Sequence, residues 1–483
     1  MAPTKDGINI FGDYYNVIDG KVCPTTDTRH GVNPSTGDKL PEVPLATEAD
    51  VDVAVAAARK AFNTWSILPW AERRDAIIGY IDAIERHAED FAKLLTLEQG
   101  KPLMFARMEL KLALDFARVT TNLELEEEVL QQDDERRTVI RYIPLGVAVG
   151  IVPWNFPVHM ALMKIIPSLV TGNPIIIKSS PFTPYCGLKL VELGQGFFPP
   201  GVLQALSGDD NLGPWLTGHP GPDKISFTGS CDTGRKVMES ASRTLKRVTL
   251  ELGGNDPAII CPDIDIATVA QKITQLAFLN SGQVCLAVKR IYVHKSIYEP
   301  FLTAMVNHAK NLTMGDGMKE GVLLGPIQNA TQLDKIKTFF NDIKRDSLTV
   351  ALGGEIPNNG GAGYFVPATI IDRPPEDSRI VALEPFGPII PIMQWEDEAD
   401  VIVRANDSSY ALGASVWSSN PDTANRIARL VQAGSVWVNA HLEVNPLAPT
   451  GGHKESGIGY ELGYVGLKSY CNTQVLYLSS KAN

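Results

Sequence analysis

The chain is predicted to be an α/β protein with a parallel β-sheet at its centre, on two observations. From Leu145 onward, short apolar runs alternate with stretches of helical periodicity. The apolar runs lack a polar face, which is typical of strands that helices cover on both sides. A second α/β pattern begins near Gly253. At 483 residues the chain is long enough for two or more domains.

Composition restricts the classes of partner and compartment. The hydrophobic fraction of 44% and the charged fraction of 20% are ordinary for a globular protein. A net charge of −11 argues against nucleic-acid and anionic-membrane partners. No apolar run reaches the roughly 18 residues of a membrane span. The six cysteines show no CxxC spacing, so free thiols and a reducing, cytoplasmic location are expected.

The N-terminal part is predicted to form short strands and turns, followed by helices. Residues 12–45 are rich in Gly, Pro, Thr and Asp, and Thr47 is a candidate cap for the first helix. Helices are predicted over residues 49–62, 71–87, 91–100 and 109–130, the last ending in an acidic, solvated cluster at 124–128. Residues 138–143 then alternate like a strand.

The remaining elements follow in two groups. After Leu145 the pattern predicts strands 147–152, 174–178, 202–207 and 224–227, with helices 159–171 and 185–197. The second region predicts helices 266–279, 298–310 and 332–344, with strands 290–293, 364–371 and 389–393. The pairs Gly353-Gly354 and Gly360-Gly361 indicate turns, and residues 473–478 are expected to pair with an edge strand. A nucleotide is expected at the carboxyl ends of the parallel strands.

A thiol and a carboxylate, each beside a glycine turn, are the candidate chemical groups. Cys285 ends Asn280-Ser-Gly-Gln-Val-Cys285, and Glu251 lies in Leu250-Glu-Leu-Gly-Gly. Such a pair is suited to covalent attack on a carbonyl carbon followed by hydrolysis. Taken alone, a single cysteine is more often a buried core residue. Two further motifs, Pro153-Trp-Asn-Phe-Pro157 and Glu384-Pro-Phe-Gly-Pro388, flank the pair.

These motifs, in this order, resemble the aldehyde dehydrogenase superfamily from about residue 15 to the C-terminus. The resemblance implies a Rossmann-like cofactor domain over residues 1–121 and 145–252, and an α/β catalytic domain over residues 253–452. It also implies a small β oligomerisation arm over residues 122–144 and 467–483. A homodimer or homotetramer is therefore expected. No metal site is expected.

The same resemblance implies a role for each candidate catalytic residue. Cys285 attacks an aldehyde, and the resulting oxyanion is held by the Asn155 side chain and the Cys285 backbone N–H. Glu251 activates water against the thioester. Members that pass the acyl group to coenzyme A usually lack this glutamate, so a carboxylic acid product is favoured over acylation of coenzyme A or phosphate. A non-catalytic role on the same scaffold stays open, although all three residues are present.

The resemblance also implies a nicotinamide cofactor. Gly229, Ser230 and Gly234, in Phe227-Thr-Gly-Ser-Cys-Asp-Thr-Gly, match the element that holds a pyrophosphate at a helix N-terminus, although such a glycine pattern alone is more often a turn. Further matches are Lys178 with Ser180 for the adenosine ribose, Glu384 for the nicotinamide ribose, and Phe386 with Trp154 around the ring.

Two departures from the family pattern concern specificity. Pro181 stands where members that prefer NAD often carry a glutamate, so both NAD and NADP remain open, with NAD favoured as the family's usual cofactor. Thr450 and Tyr460 replace an aromatic residue and an arginine that are common in the family. The candidate residues of the aldehyde tunnel are His159, Met163, Val284, Leu286, Leu442 and Val444.

Overall fold

The computed structural model describes residues 7–356 and 363–480. The N-terminal part contains β1 (Asn16–Ile18), β2 (Lys21–Cys23), β3 (Thr28–Val32), β4 (Lys39–Pro44), α1 (Glu48–Trp65), α2 (Trp70–Arg86), α3 (Ala88–Gln99) and α4 (Leu103–Thr121). Thr47 caps α1 as predicted: its side chain accepts from the Asp50 N–H, and the Asp50 carboxylate accepts from the Thr47 N–H.

The prediction of a helix over residues 109–130 is wrong at its C-terminal end. Helix α4 ends at Thr121, and the acidic cluster 124–128 lies in the segment that leads into β5 (Glu128–Gln132), so it is not a helix face. Strand β5 pairs with β6 (Arg136–Pro144). Because this pairing uses backbone groups that a continued helix would need, long-range strand formation overrides the local helical pattern.

The first large sheet is built from the next group of elements. These are β7 (Ala148–Ile151), α5 (Pro157–Val170), β8 (Ile175–Lys178), α6 (Tyr185–Gly194), β9 (Leu203–Leu206), α7 (Leu212–Gly218), β10 (Lys224–Thr228), α8 (Cys231–Ser242) and β11 (Arg247–Glu251). Strands β9, β8, β7, β10 and β11 are neighbours in that order and pair in parallel. The predicted parallel sheet is therefore confirmed, with α6 shorter than expected.

A second sheet follows. Its elements are β12 (Asp256–Ile260), α9 (Ile266–Phe278), β13 (Val288–His294), α10 (Tyr298–Lys310), α11 (Ala330–Arg345), β14 (Thr349–Leu352), β15 (Thr369–Asp372), α12 (Arg379–Ala382), β16 (Ile389–Trp395), α13 (Glu398–Asn406), β17 (Tyr410–Ala411), β18 (Gly413–Trp417), α14 (Pro421–Ala428) and β19 (Ser435–Val438). The strand order is β14-β15-β16-β13-β12-β18-β19. The strand predicted over 364–371 is confined to β15. Gly353 and Gly354 adopt positive φ as a turn requires, whereas Gly360-Gly361 lies outside the described residues.

The C-terminal segment adds β20 (His453–Lys454), β21 (Gly457–Ile458), α15 (Gly463–Lys468) and β22 (Cys471–Ser479). Strand β21 extends the first sheet beside β11, in antiparallel direction. Strand β22 pairs antiparallel with β6 over its whole length, from Cys471 opposite Pro144 to Ser479 opposite Arg136. The predicted pairing of the tail is confirmed, and β22, β6 and β5 form a separate three-stranded sheet.

Both large sheets are covered on two faces. In the first sheet, Val149 and Ile176 pack into one apolar cluster, whereas Ala148, Ile175 and Ile177 pack into the cluster on the opposite face. This alternation follows from the two-residue period of a strand and agrees with helices on both sides. Among the described helices, none combines the length and apolarity needed to cross a lipid bilayer.

Candidate active site

A cleft of about 160 Å³ opens at the carboxyl ends of β7, β10 and β11, where the first sheet meets the second. Such an edge of a parallel sheet is the usual place for a bound nucleotide. The cleft is lined by residues of both sheets, namely Pro153, Trp154, Asn155, Phe156, Met160, Thr228, Gly229, Ser230, Leu252, Gly253, Cys285, Gln332, Lys335, Glu384 and Phe386.

Cys285 follows a loop with an unusual backbone. Asn280 and Ser281 have φ of 49° and 57°, and Gly282 has φ of 73°. A Cβ on Gly282 would lie 2.3 Å from the Gly387 carbonyl oxygen, so a larger residue is excluded there. The Gln283 side chain holds the loop, because its Nε2 donates to the Asn280 carbonyl at 3.0 Å and its Oε1 accepts from the Gln328 N–H at 2.9 Å. These contacts fix the position of the thiol.

Asn155 is aimed at the same loop. Its Nδ2 donates to the Gln283 carbonyl at 3.0 Å, and its own carbonyl accepts from Lys101 Nζ at 2.8 Å. Lys101 is in turn paired with Glu109, which accepts the Val158 N–H at 3.0 Å in the first turn of α5. One amide hydrogen of Asn155 is thus used structurally. The other is available to a ligand in the cleft.

Glu251 ends β11 behind the cleft rather than in its lining. Its carboxyl group is buried, and Oε1 has no hydrogen-bond partner among the described residues. Burial raises the pKa of Glu251 well above its ordinary value, the charge of Glu461 raises it further, and Lys164 acts in the opposite direction. The charge of Glu251 also raises the pKa of Cys285. A carboxyl group with a raised pKa near a thiol is suited to general-base chemistry.

Lys164 and Glu461 are functional candidates that were not predicted from the sequence. Lys164 Nζ lies 2.8 Å from Glu461 Oε1 and donates to Thr228 Oγ1 at 2.9 Å, while Ser226 Oγ donates to Glu461 at 2.9 Å. The available signal was a lysine within the otherwise apolar run Met163-Lys-Ile-Ile166. An unpaired charge would not be stable in such a helix, so a buried partner is required.

The structure brings most of the predicted cofactor residues to this cleft. Gly229 and Ser230 line it next to α8, whose N-terminus Ser230 caps by accepting from the Thr233 N–H at 3.3 Å. A Cβ on Gly234 would lie 2.6 Å from Leu252, so this glycine allows α8 to pack closely on the sheet. Together these residues form a helix N-terminus that could accept a phosphate.

The opposite wall of the cleft contains Glu384 and the aromatic side chains of Trp154 and Phe386. Trp154 and Phe386 meet edge to face, with centroids 5.3 Å apart. Two residues missed from sequence, Gln332 and Lys335, hold this wall in place: Gln332 Nε2 donates to the Phe386 carbonyl at 2.9 Å, and Lys335 Nζ donates to the Glu384 carbonyl at 3.1 Å. Lys178 and Ser180 are buried at the end of β8, on the same sheet edge but outside the cleft lining.

The six candidate tunnel residues occupy different surroundings. His159 packs edge to face on Phe116, and burial lowers its pKa to about 4, so it is neutral. Met163 lines a small internal cavity of about 20 Å³ that Glu461 also lines. Val284 and Leu286 are buried on either side of Cys285, whereas Leu442 and Val444 are half-buried. A separate groove of about 500 Å³ is lined by Met104, Met108, Leu279, His441 and Glu443, among others.

Comparison with known proteins identifies the family. The model of the aldehyde dehydrogenase family matches residues 23–476. The chain belongs to the aldehyde dehydrogenase family. The putative aldehyde dehydrogenase FUS7 of Gibberella fujikuroi is 39% identical over 468 residues, which cover 97% of this chain and 99% of that protein. The aldehyde dehydrogenase LUC3 of a Fusarium species is 40% identical, with the same coverage.

Solved aldehyde dehydrogenase structures confirm the fold. The NAD⁺ complex of the enzyme from Bacillus cereus superposes with a TM-score of 0.94 at 34% identity, covering 98% of each chain. Betaine aldehyde dehydrogenase from Staphylococcus aureus, also with NAD⁺, gives 0.94 at 31% identity and covers 97% of this chain and 95% of that one. An NADP-dependent enzyme from E. coli gives 0.94 at 31% identity, covering 97% and 98%. The predicted aldehyde dehydrogenase fold, with its Rossmann-like sheet and second α/β sheet, is therefore confirmed.

Proposed function

We propose that the protein oxidises an aldehyde to the carboxylic acid with NAD(P)⁺, through a covalent intermediate on Cys285 that is hydrolysed with Glu251 as general base. The observation that carries this proposal is the hydrogen bond from Asn155 to the Gln283 carbonyl. It places an amide donor beside the thiol in one cleft, while Glu251 lies behind. This is the arrangement that thiol addition and subsequent hydrolysis need.

The proposed reaction begins at the thiol. Cys285 loses its proton to Glu251 or to water, and its sulfur bonds to the aldehyde carbon. The carbonyl oxygen becomes an oxyanion that accepts from Asn155 Nδ2 and from the Cys285 N–H. A bound NAD(P)⁺ would supply the hydride acceptor, and loss of hydride from the adduct leaves an acyl thioester on Cys285.

Hydrolysis completes the cycle. Glu251 removes a proton from water, the water oxygen bonds to the acyl carbon, and the carbon–sulfur bond breaks to release the acid and the thiolate. The proton on Glu251 then has to leave a buried site. Lys164 and Glu461 lie beside it, and their ion pair offers polar groups through which that proton can pass. Because Glu251 can activate water against the thioester, its presence supports hydrolysis over transfer of the acyl group to coenzyme A or phosphate.

The residues of the cleft fit a nicotinamide dinucleotide. Gly229, Ser230 and Gly234 would hold the pyrophosphate at the N-terminus of α8, where backbone N–H groups are unpaired. Glu384 would hold the nicotinamide ribose, and Trp154 with Phe386 would enclose the ring. Lys178 and Ser180 would contact the adenosine ribose, at the end of β8.

NAD is proposed as the preferred cofactor. Strands β8 and β9 pair in parallel with Lys178 opposite Leu206, so Asp209 and Asp210 leave the sheet at the same edge as Lys178. The pKa of Lys178 is lowered to about 8, mainly by burial; the carboxylates of Asp210 and Asp209 act in the opposite direction, and the charge of Arg29 adds to the lowering. These carboxylates supply, from a different element, the negative charge that is missing at Pro181. A 2′-phosphate would be repelled there.

An apolar, medium-sized aldehyde is the proposed substrate class. Val284 and Leu286 flank the nucleophile, and the neutral His159 adds no charge to this region. The nearby 500 Å³ groove is lined mainly by apolar side chains, including Met104, Met108 and Leu279. Apolar lining favours a substrate with a hydrocarbon portion over one with a charged group.

A homodimer or homotetramer is also proposed, with residues 122–144 and 467–483 as the oligomerisation arm. The three-stranded sheet of β5, β6 and β22 exposes large apolar side chains, among them Leu130 at 62% and Tyr477 at 81%. Exposed apolar patches on a sheet with open edges favour association. The proposed cofactor domain (1–121 and 145–252) would hold the first large sheet apart from β21, and the proposed catalytic domain (253–452) would hold the second. Free thiols at all six cysteines support a cytoplasmic location.

The test of the reaction is NAD(P)H absorbance with a panel of aliphatic, aromatic and semialdehyde substrates, with NAD⁺ and NADP⁺ supplied separately. Steady turnover and formation of the acid are expected with the apolar members. Cys285→Ala should abolish turnover, while Cys471→Ala, at a cysteine outside the cleft, is the matched control. A fully active Cys285→Ala variant would refute the proposed nucleophile.

A further inference from the structure

A buried lysine lies directly behind the nucleophile. Lys289 belongs to β13 and its side chain is 5% exposed. Its Nζ donates to the Cys285 carbonyl oxygen at 2.5 Å and lies 3.0 Å from Glu384 Oε1. One ammonium group therefore connects the main chain of the nucleophile to the carboxylate that is proposed to hold the nicotinamide ribose.

Glu384 is oriented by this contact. Its Oε1 also accepts from the Gly254 N–H at 3.3 Å. Its Oε2 lies close to Gly253, since a Cβ on that glycine would be 2.6 Å from this oxygen. Gly253 lines the cleft. With Oε1 held by Lys289, Oε2 is left to accept hydrogen bonds from a ligand in the cleft.

Asp256 provides a second carboxylate at the same place. Its side chain is fully buried. Asp256 Oδ1 and the Cys285 carbonyl oxygen both lie close to Gly254, because a Cβ on that glycine would be 2.8 Å from the first atom and 2.5 Å from the second. Neither oxygen of Asp256 has a well-formed hydrogen bond in the described part of the chain. His441 Nε2 is 3.9 Å from Oδ2, but it bonds to the Leu286 carbonyl at 2.7 Å, and burial lowers the pKa of His441 to about 4. His441 is therefore neutral. Two cations act on the pKa of Asp256, and Lys289 lowers it more than Arg290 does.

We propose that Lys289 is a positioning residue for both halves of the reaction. It holds Glu384 with one oxygen toward the cofactor, and it keeps a positive charge against the main chain of Cys285, where that charge offsets the neighbouring carboxylates. This inference rests on the proposed function, since it assigns Lys289 a role in that same site.

The charges around the thiol support this role. The pKa of Cys285 is raised to about 12, mainly by burial; Lys289 lowers it, and the charges of Glu384, Asp256 and Glu251 add to the increase. A thiol whose pKa is raised by three carboxylates is a poor nucleophile near neutral pH without a compensating cation. Removing the charge of Lys289 must therefore move the ionisation of Cys285 to higher pH.

The test replaces Lys289 with methionine, which keeps the length of the side chain and removes its charge. The first measurement is the pH dependence of Cys285 alkylation by iodoacetamide, followed on the Cys285 peptide by mass spectrometry. The second is the dissociation constant of NAD⁺. We expect the alkylation midpoint to rise by about one pH unit or more. We expect NAD⁺ to bind about tenfold more weakly, because Glu384 loses a charged hydrogen-bond donor.

Lys189→Met is the matched control. Lys189 is also buried, with its side chain 2% exposed, and its Nζ likewise contacts a carboxylate, Glu192 at 2.8 Å, and a carbonyl, that of Asp13 at 2.7 Å. It lies on α6, outside the cleft lining. This variant should lose stability without moving the alkylation midpoint or the NAD⁺ dissociation constant.

A double variant separates the role of Lys289 from folding. Lys289→Met removes the cation that most favours the charged form of the buried Asp256, so Lys289→Met/Asp256→Asn should recover part of the thermal stability. The alkylation midpoint of the double variant should stay above that of the wild type, because the cation is still missing. A folded single or double variant with the wild-type midpoint and wild-type NAD⁺ affinity would overturn the inference. Alkylation requires no aldehyde, so this result is independent of whether the wild-type protein turns over any substrate.

Discussion

Lys164 Nζ lies 2.8 Å from Glu461 Oε1, and the two side chains are only 0% and 4% exposed. Both belong to segments next to Glu251 in space: Lys164 lies on α5, and Glu461 precedes α15. Their charges act on the pKa of Glu251 in opposite directions. Burial has the largest effect on the pKa of the proposed base, and an ion pair whose members are 297 residues apart in the chain adjusts it.

The first prediction concerns this pair. In Glu461→Gln, the pKa of Glu251 should fall, because a negative charge is removed and Lys164 is left without its partner. A base with a lower pKa stays deprotonated to lower pH, so the acidic limb of the hydrolysis rate should move to lower pH. The measurement is the pH profile of thioester hydrolysis in single turnovers. Breaking a buried pair also costs about 3–5 kcal/mol of stability, which thermal unfolding should show.

Glu455→Gln is the control for that experiment. Glu455 pairs with Arg235 at 2.8 Å, but its side chain is 50% exposed. Its replacement should leave the acidic limb unchanged. A movement of the limb to higher pH in Glu461→Gln would contradict the assigned direction.

The second prediction concerns Glu251 itself. In Glu251→Gln the side chain keeps its size but cannot accept a proton from water. Thioester formation should still release one equivalent of NAD(P)H per active site, after which steady turnover should be slow. Stopped-flow absorbance measures both phases. Wild-type steady turnover in this variant would remove Glu251 from the mechanism.

The third prediction concerns Asn155. Asn155→Ala removes the side-chain donor to the oxyanion, so formation of the thioester should slow by about 10²–10³-fold. The rate of the NAD(P)H burst measures this step. Cys285 alkylation should remain within a few-fold of wild type, because the Gln283 side chain still holds the loop. An unaffected burst rate would show that the oxyanion is stabilised elsewhere.

The fourth prediction concerns cofactor choice. Asp209→Asn/Asp210→Asn removes two carboxylates near Lys178 without changing side-chain size. The ratio of kcat/KM for NADP⁺ to that for NAD⁺ should rise several-fold, since repulsion of a 2′-phosphate is relieved. Steady-state kinetics with a single aldehyde measures the ratio. A constant ratio would place cofactor discrimination at another position.

Part of the site was predictable because its chemistry depends on local backbone geometry. The loop before Cys285 needs positive φ and a glycine at 282, and the close approach at Gly254 likewise excludes side chains. Such requirements leave short motifs that can be recognised in one sequence. The apolar strands of the first sheet were predictable for a related reason, since burial on both faces removes polar residues from each strand.

Other features depended on residues far apart in the chain. The acidic segment 124–128 has a helical pattern, yet β5 and β6 form beside it because β22 supplies a pairing partner more than 300 residues later. The ion-pair partners of Lys164 and Lys289 could not be predicted from the sequence either, because local periodicity does not indicate which buried charged side chains come into contact. The sequence by itself determined the sheet type, the family motifs and the identity of the candidate nucleophile and base. The tertiary structure alone decided which buried charges surround them, because only the packed chain brings those groups within ion-pair distance.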